Sequence, residues 1–378
     1  MKVLIAGDFA PMARLSEVFK GTYGSNVLKG VIKYINDSDF SIVNLEAPVK
    51  VSDDFKIQKS GPHLYASDNA IKAIKDAGFN ACCIANNHLR DYGNEGVSAT
   101  LDSLKKNGLT FVGGGMNLDE ANKTLVVNIN GQILSIIAVC EKENSIASDT
   151  CAGSAPMDII DTSKRIIEAK KNSDHVLVLT HGGHEYFHYP SPRMKKLYRY
   201  FVDLGADAVI NHHQHCISGY EIYNKRPIIY GLGNFCFDRP DKRNGSWNDG
   251  YMALINFDDP TNLTIIPYIQ CNDNANVTIA TNMERQRIMA QVAQINQVIA
   301  DDKLLASKHH TFIMQKKKKN IMAVFSPYLW DKLRIAAGHH FIPYLLPKNK
   351  VRAMLNMIQC ESHFDETIEV LTNYLNKK

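Results

Sequence analysis

The 378-residue chain has no long apolar run, no CxxC pair and no strong excess of one charge. No window approaches about 18 uninterrupted apolar residues, so the sequence predicts no transmembrane helix. The opening MKVLIAGDFAP is too short an apolar run for a secretory signal and is typical of a first β-strand. We therefore expect a cytoplasmic protein.

The cysteines and charges narrow the class of protein further. Eight cysteines are scattered along the chain, and without an export signal we expect reduced thiols in the core and not disulfides. A formal net charge of +4 is too small to favour nucleic acid, so we predict no nucleic-acid partner. With 45% hydrophobic and 22% charged residues, the composition is that of a globular protein with a sizeable core.

Short apolar runs alternate with amphipathic stretches over the first two thirds of the chain. Helical periodicity followed by glycine predicts helices over 68–78, 96–108 and 192–205. The apolar runs predict strands at 2–8, 40–48, 79–88, 109–115, 134–140, 174–183, 206–213 and 226–235. This alternation is typical of a layered α/β fold. YMALINFDD and NLTIIPYIQ predict an added antiparallel hairpin.

The character of the sequence changes near residue 276. Segment 283–308 has a helical apolar stripe formed by Ile288, Val292, Ile295 and Ile299. We predict one domain over 1–275 and a mostly helical, basic region over 276–378. Residues 301–378 contain 13 Lys and Arg against 7 Asp and Glu, so peripheral contact with anionic lipid, or with an anionic polymer, is one expectation for this region.

The segment NHHQHC, residues 211–216, crowds three histidines behind the apolar run ADAVI. In an HxH pair, His213 and His215 can face a common point. Neutral imidazole is the commonest metal ligand in proteins, although histidines also cluster by chance in exposed turns. Two imidazoles alone bind a metal ion poorly, so a metal site would need further ligands from elsewhere in the chain.

Polar side chains follow the ends of five apolar runs. Ligands gather at the carboxyl ends of strands in open α/β sheets. Carboxylate, amide and imidazole groups without thiolate suit Mn, Fe or Zn and argue against a structural zinc site. The candidates are too many for one ion, which favours two divalent ions about 3.5–4 Å apart that share a carboxylate. They are Asp8, Glu46, Asn86, Asn87, His88, His181, His213 and His215.

The motifs GDFAP, NLEAP, ANNHLRDYG, THGGHEY, GADAVINHHQH and GLGNFCFD occur in an order that closely resembles the CapA-like poly-gamma-glutamate capsule biosynthesis family. The resemblance covers about residues 1–270 and places the chain in the calcineurin-like metallophosphoesterase superfamily. It implies a four-layer α/β/β/α sandwich of the metallo-dependent phosphatase type, followed by a helical C-terminal appendage. It also implies a metal-dependent hydrolase with a dinuclear site.

The resemblance assigns a role to each motif residue. Glu46 is implied as the bridging carboxylate, where the superfamily has Asp. For the first ion it implies Asp8 and His215, and for the second Asn87, His181 and His213. His88 matches the catalytic histidine that, when protonated, assists the leaving group, and Asp91 is close enough in sequence to orient it.

Other residues near the motifs are expected to support the ligands or to contact substrate, namely Asn86, Glu185, His212 and Asn234. We expect His184 to be exposed and without a role, and the pairs His309–His310 and His339–His340 to lack a carboxylate partner. Two positions depart from the superfamily pattern. Ala10 stands where a ligand His is usual, and Asn211 stands where Gly is usual before the final histidines.

The function that the resemblance implies is hydrolysis, with a phosphoester or an anionic polymer as substrate, in capsule or surface-polymer biosynthesis. Two alternatives stay open. The same kind of site suits hydrolysis of an amide bond in a gamma-linked polymer, because both reactions pass through an oxyanion. In the second alternative, the chain is a non-hydrolytic assembly or export component of a polymer synthase complex.

Overall fold

The computed structural model describes residues 1–21, 24, 26–59, 61–259, 261–316 and 348–375. The strands in chain order are β1 (Lys2–Phe9), β2 (Phe40–Leu45), β3 (Ala81–Cys83), β4 (Thr110–Val112), β5 (Gly114–Gly115), β6 (Leu125–Ile129), β7 (Gln132–Cys140), β8 (Gly153–Ser154), β9 (His175–His181), β10 (Ala208–His212), β11 (Tyr220–Tyr223), β12 (Arg226–Ile229), β13 (Asn234–Cys236), β14 (Asp249–Asn256), β15 (Leu263–Gln270) and β16 (Val277–Ile279). The helices are α1 (Arg14–Val18), α2 (Ile32–Asn36), α3 (Asp68–Asp76), α4 (Gly93–Lys106), α5 (Leu118–Ala121), α6 (Ile159–Asn172), α7 (Pro192–Asp203), α8 (Asn282–Ala300), α9 (302–316), α10 (Lys348–Gln359) and α11 (Glu361–Leu375).

Two large sheets contain most of these strands. In the first, the order is β16-β15-β14-β1-β2-β3-β4, and β13 also pairs with β1. In the second, the order is β11-β12-β10-β9-β7-β6. Strands β1 to β4 run parallel, and so do β7, β9, β10 and β12. The predicted hairpin is confirmed, because β14 and β15 pair antiparallel.

The two sheets pack face to face. Side chains alternate along β1, so that Val3 and Ile5 enter the core shared with Leu177 and Leu179 of the second sheet. Leu4 points the other way and joins the layer under α3 and α4. A third core lies between the second sheet and α6 and α7. Burial on both faces explains the continuous apolar runs, and the predicted α/β/β/α sandwich is confirmed.

The C-terminal region begins on the first sheet and continues as helices. Strand β16 pairs with β15 just beyond the predicted boundary at residue 275, so the sheet extends into this region. The predicted helix over 283–308 is two helices, α8 and α9, which are separated at Asp301. Helices α10 and α11 agree with the mostly helical region predicted over 276–378. The domain division itself stays a prediction, and Trp330 and His339–His340 lie outside the described residues.

No disulfide joins the eight cysteines in the structure, and seven of them are buried. Cys82 and Cys83 point to opposite faces of β3, one into each neighbouring core. Among the described helices, none combines the length and the apolar character needed to cross a membrane.

The buried stripe on α8 generates a stability prediction. Thr281 and Glu284 form a capping box at the start of the helix, and Ile288, Val292, Ile295 and Ile299 are buried along it. Ile295→Ala should lower the free energy of unfolding by about 2–5 kcal/mol, since it leaves a cavity in the core. Met283→Ala, on the exposed side of α8, should change it by less than about 0.5 kcal/mol. Equal denaturation midpoints for both variants would contradict this packing.

Candidate metal centre

The candidate site lies where strand ends of the two sheets meet. In the first sheet, Asp8 of β1 is in register with Asn44 of β2. In the second, His181 of β9 is in register with His212 of β10. Since parallel strands bring their carboxyl ends to one edge, residues far apart in sequence converge there. The residues assigned as ligands from the sequence are all brought to this edge.

On one side of the site, His215 lies between two carboxylates. Its Nδ1 is 3.5 Å from Asp8 Oδ2, and its Nε2 is 3.6 Å from Glu46 Oε1. Asn234 holds the ring, because its Oδ1 lies 2.9 Å from His215 Nδ1 and its Nδ2 donates to the His215 carbonyl. These contacts suit the supporting role expected of Asn234.

On the other side of the site, His181 contacts three of the other candidate ligands. Its Nε2 is 3.1 Å from Asn87 Oδ1, 3.1 Å from His213 Nδ1 and 3.5 Å from Glu46 Oε1. His213 and His215 have φ angles of 94° and 54°, in the left-handed region that costs non-glycine residues about 1–3 kcal/mol. At these two strained positions, the backbone turns so that both imidazoles face the same site.

Glu46 lies between the two halves of the site. Its side chain is 0% exposed, and neither carboxylate oxygen has a hydrogen-bond partner among the residues that the structure describes. Burial raises the pKa of Glu46 well above its usual range, because a buried anion without a donor is costly. Ligand atoms of Glu46, His213 and His215 lie within 4.8 Å of one another. A divalent cation is the partner that this carboxylate lacks, so the residues fit a metal centre.

The charges at the site favour exchange of a proton for a cation. Burial by itself would lower the pKa of His215, but Glu46 and Asp8 outweigh it and raise this pKa to about 10. Burial and the neighbouring His213 lower the pKa of His181. The proton on His215 therefore neutralises the same carboxylates that would hold an ion, and ion binding would release it.

His88 and Asp91 are paired as expected. The Nδ1 of His88 lies 2.7 Å from Asp91 Oδ2, which also accepts from the Leu64 amide. Lys59 was missed by the sequence reasoning. Its Nζ pairs with Asp91 and lies 3.1 Å from His88 Nδ1. Burial and Lys59 lower the pKa of His88 to about 4, so the imidazole is neutral at pH 7 and not protonated at rest.

Several buried groups support the ligands. Asn86 accepts from the His88 amide, and His212 Nε2 lies 3.1 Å from the Ala6 carbonyl. Asn44 was missed, although it stands two residues before Glu46 in β2 and so shares its face of the strand. It donates to Asp8 Oδ1 at 2.7 Å. Glu185 lines the adjoining cavity.

The two departures from the superfamily pattern have different consequences. Asn211 makes four side-chain hydrogen bonds, to Thr180, Tyr198, Gly182 and Tyr230, and so joins β10 to its neighbours. Ala10 is buried and offers only backbone groups, one of which donates to the Cys236 carbonyl. The first ion would therefore have Asp8, Glu46 and His215 as its ligands.

The expectation that His184 is exposed and idle is wrong. His184 is 2% exposed, its Nε2 is 3.0 Å from His309 Nε2, and its Nδ1 is 3.1 Å from Glu366 Oε1. The expectation that His309 and His310 lack a carboxylate is also wrong, because Glu369 lies 3.4 Å and 2.6 Å from them. These contacts fasten α9 and α11 to the loop that follows β9.

The C-terminal helices also bound a cavity of about 420 Å³ beside the metal centre. One wall contains Asn87, His88 and His213, and the facing wall contains Met357 and His363 of α10 and α11. No motif in the sequence indicates this cover, since its residues meet the site only through tertiary packing.

Comparisons with known proteins agree with these motifs. The family model "Bacterial capsule synthesis protein PGA_cap" matches residues 2–239. The capsule biosynthesis protein CapA of Bacillus anthracis is 30% identical over 336 residues, which cover 84% of this chain and 80% of the relative. The PGA biosynthesis protein CapA of Bacillus subtilis is 32% identical over 236 residues, 62% of each chain. A putative 5'-nucleotidase structure from Staphylococcus aureus aligns at 14% identity with a TM-score of 0.42, covering 78% of this chain and 58% of that one.

The position of Glu46 generates a metal-content prediction. Glu46→Gln should release both ions, because Glu46 contacts ligands on both sides, whereas Asp8→Asn should mainly weaken one. Elemental analysis of chelator-free protein measures both losses. The control is Glu221→Gln. Glu221 lies on β11 and forms an ion pair with Arg199 of α7, so this variant should keep full metal content. Equal loss from Glu46→Gln and Asp8→Asn would remove the basis for the bridging assignment.

Proposed function

The chain belongs to the bacterial capsule synthesis protein family PGA_cap, and from this membership we propose that it is a metal-dependent hydrolase with a dinuclear site. The proposed setting is capsule or surface-polymer biosynthesis, in line with the names of its relatives. One observation carries the hydrolase proposal. Glu46 is a buried carboxylate without a hydrogen-bond donor, surrounded by imidazole, amide and carboxylate groups.

Two divalent ions, of Mn, Fe or Zn, would be held by Asp8, Glu46, Asn87, His181, His213 and His215. Bound there, they would supply Lewis-acid stabilisation of an oxyanion and an activated water at neutral pH. Asn44 and Asn234 hold the side chains of the ligands Asp8 and His215 before any ion binds. His212 contacts the backbone carbonyl of Ala6 in β1, beside the site. The protein thus fixes the coordination geometry in advance.

His88 is the residue proposed to move a proton. Its Nδ1–H donates to Asp91, which fixes the tautomer and leaves Nε2 to exchange a proton with a group in the cavity. An anionic substrate beside His88 and Lys59 would offset the charge of Lys59. This raises the pKa of His88 from about 4 toward the working pH, so substrate binding itself would prepare the acid.

The proposed substrate carries an anionic group, which the metal ions would bind. Lys59 and Lys316 line the cavity, although each already pairs with a carboxylate. Because Glu143 and Glu185 line it as well, the attraction for an anion would come mainly from the ions. A phosphoester provides such a group, and so does an anionic polymer with a gamma-linked amide. Turnover tests can separate the two, because the reacting bonds differ.

A non-hydrolytic role in polymer assembly is the second candidate. The absence of a ligand side chain at Ala10 favours it, because an incomplete first site would bind metal without efficient turnover. In that role, the basic C-terminal region would provide peripheral attachment to an anionic membrane surface.

The test is turnover by metal-loaded protein of nitrophenyl phosphomonoesters, nitrophenyl phosphodiesters and gamma-linked glutamate oligomers. The hydrolase proposal expects turnover that chelator abolishes and that Glu46→Gln lacks. Metal-bound protein that turns over none of these substrates would favour the assembly role.

The orientation of His88 generates a leaving-group prediction. His88→Ala should keep its metals and lower turnover by about 10²–10⁴-fold, the usual contribution of a positioned acid or base. The loss should shrink for nitrophenolate, which departs without protonation. Asp91→Asn should give a smaller loss in the same direction, since it only misorients the imidazole.

A kinetic series over leaving-group acidity, with metal content measured in parallel, tests this role. An equal loss for good and poor leaving groups would exclude the acid role. Loss of metal from His88→Ala would instead identify His88 as a ligand.

A further inference from the structure

The junction of α10 and α11 presents a second group of metal-ligating side chains. We propose that Glu143, Cys360 and His363 bind a single zinc-class ion, separate from the dinuclear centre, which fastens α11 to the catalytic face. Glu143 lies in the loop after β7, Cys360 lies between the two helices, and His363 is in the first turn of α11. None of the dinuclear ligands belongs to this site, so the proposal does not depend on the proposed hydrolase activity.

The distances between the three side chains suit one small ion. One ligand atom from each lies within 4.8 Å of the others, and Cys360 Sγ is 4.0 Å from Glu143 Oε1. In a tetrahedral zinc site, with bonds of about 2.0–2.3 Å, donor atoms are about 3.5 Å apart. On binding, Cys360 Sγ and Glu143 Oε1 would approach each other by about 0.5 Å, and the other pairs of ligand atoms by at most about 1.3 Å. Cys360 is 1% exposed, whereas Glu143 and His363 are half-buried and line the cavity, so a bound ion would lie at the cavity wall.

The charges at this junction favour a cation. Glu141, two residues before Glu143, already has partners, because Arg193 Nη2 donates to it at 2.5 Å and Ser362 Oγ at 3.0 Å. Glu143 accepts hydrogen bonds from the amide of Asn87 and the thiol of Cys360, and its other close contact is His213 Nε2 at 3.9 Å. This half-buried carboxylate beside a thiol and an imidazole therefore has no lysine or arginine partner in the described part of the chain.

The ligand types indicate which ion would bind. A thiolate with an imidazole and a carboxylate selects zinc, cobalt or iron over magnesium and calcium, which prefer oxygen. Three protein ligands leave a fourth position for water. The dinuclear centre has no cysteine, so the two sites differ in a property that spectroscopy detects.

The two sites are adjacent but use different atoms. Asn87 Oδ1 faces His181, whereas its Nδ2 donates to Glu143 Oε2 at 3.3 Å. His213 Nδ1 faces His181, whereas its Nε2 lies 3.9 Å from Glu143 Oε1. An ion on Glu143 would thus fix the outer side of two candidate ligands of the dinuclear centre. It would also fix the wall of the cavity that His363 lines.

Titration of the metal-free full-length protein with Co²⁺ tests the site. A thiolate bound to Co²⁺ gives a charge-transfer absorption in the near ultraviolet that imidazole and carboxylate ligands do not give. At saturation we expect one thiolate-bound Co²⁺ per chain, in addition to any cobalt held by the dinuclear centre, and the absorption should decrease when Zn²⁺ displaces the cobalt. It should disappear in Cys360→Ser and remain in Cys151→Ser, the matched cysteine control. It should also remain in His215→Ala, whose change affects only the dinuclear centre.

Two further variants keep the test decisive if Cys360→Ser does not fold. Glu143→Gln and His363→Ala retain the thiol but should weaken Co²⁺ binding at this site by at least about 10-fold. The absence of a thiolate absorption in the wild-type protein would overturn the proposal. So would an absorption that survives in Cys360→Ser, or one that both Glu143→Gln and His363→Ala leave at wild-type affinity.

Discussion

The buried carboxylate of Glu46 is the constraint on which the rest of the site depends. It is 0% exposed and has no hydrogen-bond donor among the described residues, and imidazole nitrogens of His181 and His215 lie 3.5 Å and 3.6 Å from its Oε1. A negative charge in this setting needs a proton or a cation. Its neighbours are in turn held from outside, His215 by Asn234 and Asp8 by Asn44. The fold thus keeps the uncompensated carboxylate of Glu46 at the centre of the site, and bound metal ions would neutralise its charge.

The sequence predicted the parts of the site that depend on strand ends. Asp8, Glu46 and His181 each lie at or just beyond the end of an apolar run, and parallel strands bring such positions to one edge. Asn44 could have been found by the same reasoning, because it stands two residues before Glu46 and so shares its face of the extended segment. The apolar runs predicted a layered α/β fold, whereas the α/β/β/α order of the layers was implied by the family resemblance.

The parts that could not be predicted are contacts between elements that share no motif. Lys59 reaches His88 and Asp91 from a loop with no local signal, and His184 is buried only because α9 and α11 pack over it. The burial of a side chain by a distant helix is a property of tertiary packing. Local sequence around His184 therefore indicated a surface residue, whereas the folded chain places it in a network of histidines and glutamates.

The position of β1 has a consequence for synthesis of the chain. One edge of this strand pairs with β2, which follows it closely, but the other pairs with β14, where Lys2 is opposite Asn256, and at the end of the strand with β13. During translation, that apolar edge stays without its partners until β13 and β14 have left the ribosome. Until then the nascent protein carries an open sheet edge, the kind of surface on which chains aggregate. The interval in which a chaperone is most useful is therefore set by the place of β1 in the middle of the sheet.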